Sequence, residues 1–296
     1  MGRPASGDRS PGGRAATRSG RTQSAPRSWW RDLLALAGIG GLLAAVYLLP
    51  PDTSLAEVQR IGTLRVCVPD EYPPLVTGVA AAPGIDVELV QHLADAMGVR
   101  LHLVPNPSIG RDFNPRNWRV NRAQCTLLAG GVVASPLTRG FLETLAPHLS
   151  TGWAAVRLDP DAVLDGAAVG FFAGVSGLDR LTLSRFLREQ GATVQVVNRR
   201  SELIEGLLSG RFDVGVTEAL TARQVAGAID GEALWLPESL GRYPVAIGMW
   251  KGDLTLKRRL ERELSAIRRD GTLATLVERY DIVAISSTCD VCRPSE

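Results

Sequence analysis

The sequence predicts an α/β fold of two lobes that are joined by two crossing hinge strands and preceded by one transmembrane helix. From about residue 60, strand-like runs alternate with helix-like runs, in two sets of similar size. Two extended segments, near 146–156 and 241–250, lie between these sets and are suited to crossing strands. Such alternation favours parallel strands covered by helices on both faces. The composition, with 45% hydrophobic and 22% charged residues, is typical of a globular chain.

The first 50 residues form two segments that differ from the rest. Residues 1–31 are rich in Gly, Pro, Ser and Arg, which predicts a disordered basic tail on the cytoplasmic side. Residues 32–50 include an uncharged apolar run, 33–49, near the lower limit for a helix that crosses a membrane. Arginines precede this run and none follows it closely, so the positive-inside rule predicts an extracytoplasmic body.

This segment is interpreted as an uncleaved signal anchor in the inner membrane, with the functional domain in the periplasm. The basic tail and the apolar run are both long for a signal peptide, and no clear A-x-A cleavage pattern follows. A cleaved signal peptide and a buried soluble helix remain the alternatives.

The charge distribution argues against nucleic acid as a partner. Beyond position 50 the chain holds 26 basic and 29 acidic residues, a formal charge of −3. A nucleic-acid-binding domain carries a basic patch or stripe instead.

The first set of elements begins with a short apolar strand, "TLRVCV", at 63–68. The segment "GIDVELVQHLADAMG" predicts a helix, and "RLHLVP" the next strand. One helical face would carry Val90, Leu93, Ala94 and Met97. A loop rich in Asn, Pro and Arg then leads to the strand "QCTLLAGG".

The second set runs from "AAVGFFA" through "GLDRLTLSRFLREQG", "TVQVV", "SELIEGLLSG", "FDVGVTE" and "ALTARQVAGA" to "ALWLPE". A long amphipathic helix, "LTLKRRLERELSAIRRD", follows the second extended segment. Its apolar face would be formed by Leu256, Leu260, Leu264 and Ile267. Gly271 ends this helix, and "TLATLVERYD" predicts a last short helix.

The order of these motifs resembles the polar-amino-acid branch of the periplasmic solute-binding proteins of ABC importers. The segments "GTLRVCVPDEYPPL", "GIDVELVQHLADAMGV", "LLAGGVVASPLTRGF", "LLSGRFDVGVTEA" and "VAIGMWKGDLTLKRRLERELSAIRRDGTLATLVERYD" carry the resemblance. It implies the type II periplasmic-binding fold, closing on its ligand as a hinged trap. Lobe 1 would comprise 55–148 and 246–284, lobe 2 would comprise 149–245, and 285–296 would form a C-terminal tail.

The resemblance also implies a small polar ligand, an amino acid or a dicarboxylate, and an ABC permease as partner. We expect a monomer without a cofactor. Such a cleft must pair both the carboxylate and the ammonium of an amino acid, because each loses its hydration on binding.

Arg139 is the predicted partner of the ligand carboxylate. It follows an apolar strand, and its guanidinium offers paired donors that match a carboxylate. In the family a Thr/Ser-rich segment before such an arginine serves this purpose, so Thr138 or Ser135 would supply an accompanying hydroxyl. The segment is about two residues longer than usual in the family, and a solvated surface arginine is the alternative.

The second lobe would supply the other ligand-binding residues. Gly174 and Ser176 lie where a strand opens into a helix, a place suited to an anion, although a simple helix cap would use the same residues. Glu218 occupies the position that holds the ammonium in the family, where an aspartate is usual. Tyr72 of lobe 1 matches an aromatic residue that lines the cleft in relatives, and a core tyrosine is the alternative.

The insert that carries Arg111, Arg116, Arg119 and Arg122 departs from the family pattern. A solvated charged loop is the favoured interpretation. If one of these arginines faced the cleft, the ligand would carry an additional negative charge, as a dicarboxylate does.

The four cysteines are compatible with disulfide bonds in an oxidising compartment. The family fold makes the strands of Cys67 and Cys125 neighbours, so these two could form a bridge, although they are offset by about two residues. Cys289 and Cys292 could bond to each other or bind a metal ion. A single C-x-x-C is weak support for zinc, and the three histidines are scattered, so no metal site is predicted.

Three classes of function remain open. The favoured one is a solute-binding subunit of an importer, which is not an enzyme. A membrane-tethered ligand sensor or accessory protein would use the same fold without transport. A lyase similar to cyclohexadienyl dehydratase is the third, and it would need Glu218 or His148 as a general acid or base.

Overall fold

The computed structural model describes residues 29–47, 52–109, 114–174, 178–280, 285 and 291–292. The chain divides into two compact units, Met1–Pro51 and Asp52–Glu296. In the first unit, α1 (Trp29–Tyr47) overlaps the predicted transmembrane segment 32–50. Among the described residues, no helix combines the length and the apolar character that crossing a membrane requires. The predicted tail lies outside the described residues, apart from its last three, which belong to α1.

The second unit contains two sheets, and the first of them forms lobe 1. Its strands are β1 (Thr63–Val68), β2 (Arg100–Pro105), β3 (Leu127–Leu128), β4 (Glu143–Thr144) and β11 (Gly248–Met249). In the described part of the chain their order is β2-β1-β3-β11-β4. β1 is parallel to β2 and to β3, whereas β11 is antiparallel to β3 and β4. The carboxyl end of β1 therefore lies at the same edge as that of β2.

In the part of the chain that the structure describes, five α-helices flank this sheet. They are α2 (Ser54–Ile61), α3 (Ile85–Ala96), α4 (Pro136–Phe141), α8 (Leu254–Arg269) and α9 (Thr272–Arg279). Leu64 and Val66 of β1 are fully buried and share one core with Leu89 of α3 and Leu260 of α8. The helical faces predicted for 84–98 and 254–270 are buried as expected, so the periodicity of both segments was interpreted correctly.

The second sheet forms lobe 2. Its strands are β5 (Leu149–Arg157), β6 (Ala168–Phe172), β7 (Thr193–Val197), β8 (Val214–Glu218), β9 (Glu232–Trp235) and β10 (Arg242–Val245). The order is β10-β5-β8-β6-β7, and β9 also pairs with β5. The helices of this lobe are α5 (Arg180–Glu189), α6 (Arg200–Leu208) and α7 (Ala219–Ile229). β6 is parallel to β7 and β8, as the alternation of strands and helices predicts.

Two antiparallel strands connect the lobes. β5 carries the chain from lobe 1 into lobe 2, and β10 carries it back towards β11. Gly152 of β5 pairs with Arg242 of β10, and Leu149 pairs with Val245. β10 lies within the second segment that was predicted to cross between the lobes, and β5 overlaps the first and ends one residue beyond it.

A buried polar network holds the start of β5 against lobe 1. The Asp86 carboxylate accepts hydrogen bonds from the backbone N–H groups of Gly130 (2.7 Å) and Gly131 (3.2 Å). Its other oxygen lies 2.6 Å from His148 Nε2, and both side chains are fully buried. Asp86 therefore ties the first turn of α3, the glycines after β3 and the residue before the hinge strand to one another.

The predicted bridge between Cys67 and Cys125 is confirmed. Their Cα atoms are 5.5 Å apart, and both residues are buried. Cys67 pairs with Leu128 in the sheet, whereas Cys125 precedes β3 and donates its N–H to Asn121 in a turn. Because Cys125 lies outside the ladder, the predicted offset between the two strands does not prevent the bond. Cys289 lies outside the described residues.

Candidate functional site

A cavity of about 590 Å³ lies between the two lobes. Lobe 1 contributes residues that follow the carboxyl end of β1, and lobe 2 contributes the carboxyl ends of β6 and β7 with the start of α5. Its lining includes Pro69, Asp70, Glu71, Tyr72, Ile109, Phe172, Gly174, Arg180 and Val196. The carboxyl edge of parallel strands is where open α/β sheets bind ligands. The volume is also within the usual range for small-molecule sites, about 300–1,000 Å³.

Glu218 lies at the junction of the lobes and is fully buried. It caps the N-terminus of α7, where its carboxylate accepts from the backbone N–H groups of Leu220 (2.9 Å) and Thr221 (2.6 Å). The hydroxyls of Thr151 (2.5 Å), Thr221 (2.7 Å) and Tyr72 (2.8 Å) also donate to it. A carboxylate has about four lone-pair sites, so these five donors fill its acceptor capacity.

Tyr72 joins the two lobes through this carboxylate. It belongs to the loop after β1, and its hydroxyl donates across the junction to Glu218 Oε1. Loss of contact with water raises the pKa of Tyr72 well above its ordinary value, and the Glu218 charge raises it further. The phenol therefore stays protonated and remains a hydrogen-bond donor.

Gly174 allows the close approach of these two side chains. Its φ of 57° is left-handed, and a Cβ there would lie 2.4 Å from Glu218 Cγ and 3.2 Å from the Tyr72 hydroxyl oxygen. A larger residue would have to displace one of them. Three of the predicted ligand-binding residues, Tyr72, Gly174 and Glu218, thus come together, whereas Ser176 lies outside the described residues.

Arg139 and Thr138 lie on α4 of lobe 1, and neither lines this cavity. Arg139 is exposed, and its Nη2 donates to the carbonyl of Ala134 at 2.6 Å. Thr138 is buried, and its N–H donates to the Oγ of Ser135, the N-cap of the helix, at 3.1 Å. The hydroxyls of Ser135 and Thr138 are also within 3.1 Å of each other, so both contribute to the capped turn.

The charged residues that line the cavity were not among the ligand-binding residues predicted from the sequence. Asp70 and Glu71 follow the end of β1 in lobe 1, and Arg180 is the first residue of α5 in lobe 2. Glu71 also lies 3.5 Å from Arg200, so an ion pair crosses between the lobes beside the cavity. Their positions were the only sequence signal that could have indicated a role in ligand binding. Asp70 and Glu71 follow the end of a strand, and Arg180 begins a helix.

The arginine-rich insert packs on lobe 1. Arg122 forms an ion pair with Asp253, and its guanidinium lies 6.0 Å from the Trp250 ring centre. Arg116 stacks over Phe141 with a separation of 5.6 Å. Arg119 is exposed, and Arg111 lies outside the described residues. In the part of the chain that the structure describes, no group of three or more His, Cys, Asp or Glu residues is arranged to hold a metal ion.

No model of a known protein family matches the chain, but several curated proteins are similar to it in sequence. The L-cystine-binding protein TcyJ of Escherichia coli is 22% identical over 259 residues, which cover 84% of this chain and 92% of that protein. Cyclohexadienyl dehydratase of Pseudomonas aeruginosa is 34% identical over 92 residues. That match covers 30% of this chain and spans only 34% of the dehydratase.

Solved structures with the same fold include substrate-binding proteins of amino-acid ABC transporters. A substrate-binding protein of an ABC uptake transporter from Streptococcus pneumoniae, with bound histidine, matches with a TM-score of 0.64 and 16% identity, over 80% of this chain and 99% of that chain. The amino acid ABC transporter substrate-binding protein AbpA of the same species, bound to L-arginine, matches with a TM-score of 0.61 and 20% identity, over 78% and 100%. The chain therefore has the two-lobed fold of the periplasmic amino-acid-binding proteins of ABC importers, which confirms the resemblance predicted from its sequence.

Proposed function

We propose that the chain is an extracytoplasmic solute-binding protein that captures an amino acid between its lobes and delivers it to an ABC importer. The observation that carries this proposal is the cavity at the carboxyl ends of β1, β6 and β7, which both lobes line with charged residues of opposite sign. The names of TcyJ and of the two streptococcal proteins support an amino acid as the ligand.

Binding and closure would be a single event in such a protein. An amino acid has two charges, and each needs a partner when the cavity excludes water. If each lobe pairs one charge, the ligand is fully compensated only when the lobes meet, so it favours the closed arrangement. The roles predicted for Arg139, Thr138, Gly174, Ser176, Tyr72 and Glu218 in this event stay predictions.

Export of the two-lobed unit belongs to the same proposal. The arginines before position 32 and the apolar run after it support an extracytoplasmic body, with the N-terminal segment either retained as an anchor or cleaved. Protease added to spheroplasts should therefore degrade the two-lobed unit. A body that is protected until the cells are lysed would contradict export.

A ligand screen tests the proposed function. The purified full chain would be heated with each of the 20 standard L-amino acids, with L-cystine and with the dicarboxylates succinate and malate. At least one amino acid should raise the midpoint of thermal unfolding in a saturable way, because a ligand that binds only the folded state stabilises it. An increase with succinate or malate alone would point to a dicarboxylate carrier, and no increase with any compound would contradict binding.

A lyase is the second candidate, because the identity to cyclohexadienyl dehydratase reaches 34% over the matched residues. A general acid would have to face the cavity with a proton to give. Glu218 instead accepts from five donors, as a carboxylate does, and the His148 ring is buried beside Asp86. We therefore expect no product when prephenate or L-arogenate is incubated with the chain. Formation of phenylpyruvate or phenylalanine would contradict this.

A ligand sensor and a carrier differ in the protein that they bind. Amino-acid-dependent recovery of a permease in a pull-down from membranes would support the importer subunit. Recovery of another envelope protein instead would support a sensor or accessory protein.

A further inference from the structure

The Glu218 carboxylate receives hydrogen bonds from both lobes. In the described part of the chain, four of its five donor groups belong to lobe 2: the Thr151 hydroxyl on β5, the N–H of Leu220, and the N–H and hydroxyl of Thr221 on α7. The fifth is the hydroxyl of Tyr72, which reaches across from lobe 1 over a distance of 2.8 Å. A single phenol therefore connects lobe 1 to this carboxylate.

Tyr72 also separates Glu218 from the cavity between the lobes. The tyrosine lines this cavity together with Gly174, and it lines a second cavity of about 550 Å³ together with Thr221. Glu218 is fully buried and is not among the described residues that line either cavity. Gly174 lies close against the carboxylate side chain, since a Cβ there would be 2.4 Å from Glu218 Cγ. A ligand in the cavity can therefore reach this carboxylate only if Tyr72 moves.

The loop after β1 fixes the position of the Tyr72 ring within lobe 1. The N–H of Tyr72 donates to the carbonyl of Val76 at 2.6 Å, and the N–H of Val76 donates back to the carbonyl of Tyr72 at 2.9 Å. The ring packs over Gly131, where a Cβ would lie 3.3 Å from Tyr72 Cε1. An outward movement of lobe 1 would therefore withdraw the hydroxyl from Glu218.

A ligand ammonium would compete with this phenol for the same carboxylate. A carboxylate has about four lone-pair sites, which the five donors already fill, so an ammonium has to replace a donor. The donors from β5 and α7 belong to the same lobe as Glu218 and stay in place when the lobes separate. The Tyr72 hydroxyl is the donor that separation of the lobes removes, so a ligand that uses Glu218 must overcome the bond between Tyr72 and Glu218.

Other contacts support the same arrangement of the lobes. Leu220, at the start of α7, is buried in one apolar cluster with Leu75 and Ile85 of lobe 1. Glu71 lies 3.5 Å from Arg200 of lobe 2, although exposed pairs of this kind contribute little. The lobes therefore meet through contacts that the protein itself supplies, and the bond from Tyr72 to Glu218 is the charge-assisted one among those that are buried.

We propose that Tyr72 is an internal competitor of the ligand: its hydroxyl occupies Glu218 and joins the lobes, and an amino acid must displace it to bring its ammonium to this carboxylate. This inference rests on the proposed function. Tyr72 then sets the affinity of the protein, because the arrangement in which it holds Glu218 has to be given up before the ligand is fully bound.

Calorimetric titration of the full chain and of Tyr72→Phe with the standard L-amino acids tests this competition. The phenylalanine keeps the ring and removes only the hydroxyl. The amino acid that binds the wild type should bind Tyr72→Phe about tenfold more tightly or better, because a hydrogen bond to a charged group no longer has to be broken. The 2-hydroxy acid with the same side chain, which has no ammonium, should show no such gain.

Tyr280→Phe is the matched control. The Tyr280 hydroxyl donates to Glu88 and accepts from the N–H of Gly84, and all three residues lie in lobe 1. This variant also loses a tyrosine hydroxyl beside a glutamate, but it leaves the junction of the lobes unchanged, so its affinity should equal that of the wild type. Partial unfolding would weaken binding and therefore would not mimic the gain expected of Tyr72→Phe.

A distance measurement without added ligand tests the same bond independently. In the described sheets, β2 and β7 lie at the ends away from the crossing strands, so their separation should report opening of the lobes. Spin labels at His102→Cys of β2 and Gln195→Cys of β7, both exposed positions, would be measured by pulsed electron paramagnetic resonance. Tyr72→Phe should add a population at longer distance, whereas Tyr280→Phe should keep the wild-type distribution.

Several outcomes would overturn the inference while leaving the proposed function intact. They are equal or weaker binding of the amino acid by Tyr72→Phe, the same gain in Tyr280→Phe, the same gain for the 2-hydroxy acid, or an unchanged distance distribution in Tyr72→Phe. If neither the wild type nor Tyr72→Phe binds any amino acid, the proposed function fails and this inference fails with it.

Discussion

At the scale of single residues, Glu218 has a different environment from the one expected of a ligand-binding acid. The sequence position predicted a carboxylate that faces the ligand ammonium. In the structure this carboxylate caps α7 and receives the Tyr72 hydroxyl from the other lobe. It therefore contributes to the folded state whether or not a ligand is present.

Glu218→Gln tests this structural contribution. The amide keeps the shape of the side chain but replaces one acceptor by an NH₂ donor that would face other donors. We expect the free energy of unfolding to fall by about 1–3 kcal/mol in urea denaturation without ligand. Glu205→Gln, an exposed glutamate on α6, is the control. An equal change in the two variants would contradict the account of Glu218.

The residues of the site were predictable to different degrees. Tyr72, Gly174 and Glu218 were identified by their motifs, and the structure brings them together. Arg180 was not identified, because "GLDRLTL" has the pattern of a capped, solvated helix start. Whether such an arginine lines a cavity depends on where the helix packs in the tertiary structure, which a local pattern does not contain.

At the scale of elements, the start of α5 depends on Asp179. This N-cap accepts from the N–H groups of Leu181 and Thr182, both at 3.0 Å, and from the Thr182 hydroxyl at 2.7 Å. The hydroxyl bond from Thr182, followed by its N–H, lowers the pKa of Asp179. The orientation of Arg180, the next residue, depends on this turn.

Asp179→Asn keeps a capping side chain but removes its charge. Because the pKa of Asp179 is lower in the folded chain, its charge stabilises the fold above the ordinary pKa of about 4, and this contribution is lost as the pH falls through the lowered value. The wild type should exceed the variant by about 0.3–1 kcal/mol at pH 7, and the difference should shrink below pH 4. A difference that is constant over this range would contradict the assignment.

The Cys67–Cys125 bond joins β1 to the turn before β3, across a sequence separation of 58 residues. Replacing both cysteines by alanine should lower the free energy of unfolding by about 2–4 kcal/mol, mainly because the unfolded chain gains conformational freedom. Urea denaturation measures this, and non-reducing peptide mapping should recover the two wild-type peptides joined. Free thiols at both positions in the exported protein would contradict the bridge.

At the scale of the whole molecule, the order of strands and helices was largely predictable. Periodic apolar residues identified α3 and α8, and short apolar runs identified β1, β2 and β6. Helix α4 was not predicted, since it has only six residues and begins with a proline after a strand. The Asp86–His148 network was also missed, because its members are 62 positions apart in the sequence.

The central claim is that an amino acid binds in the cavity between the lobes. Val196 lines this cavity from the edge strand β7 and is 64% exposed, so a larger side chain there fills the cavity without disturbing a core. Val194 lies on the same strand, is 39% exposed and does not line the cavity. A comparison of substitutions at these two positions therefore distinguishes an effect of filling the cavity from a general effect on β7.

The most direct measurement is calorimetry of the full chain, Val196→Trp and Val194→Trp, each titrated with the standard L-amino acids. We expect saturable binding of one amino acid molecule per chain in the wild type and in Val194→Trp. In Val196→Trp that binding should be weakened about tenfold or more. Unchanged affinity in Val196→Trp, or no saturable binding of any amino acid to the wild type, would contradict the central claim.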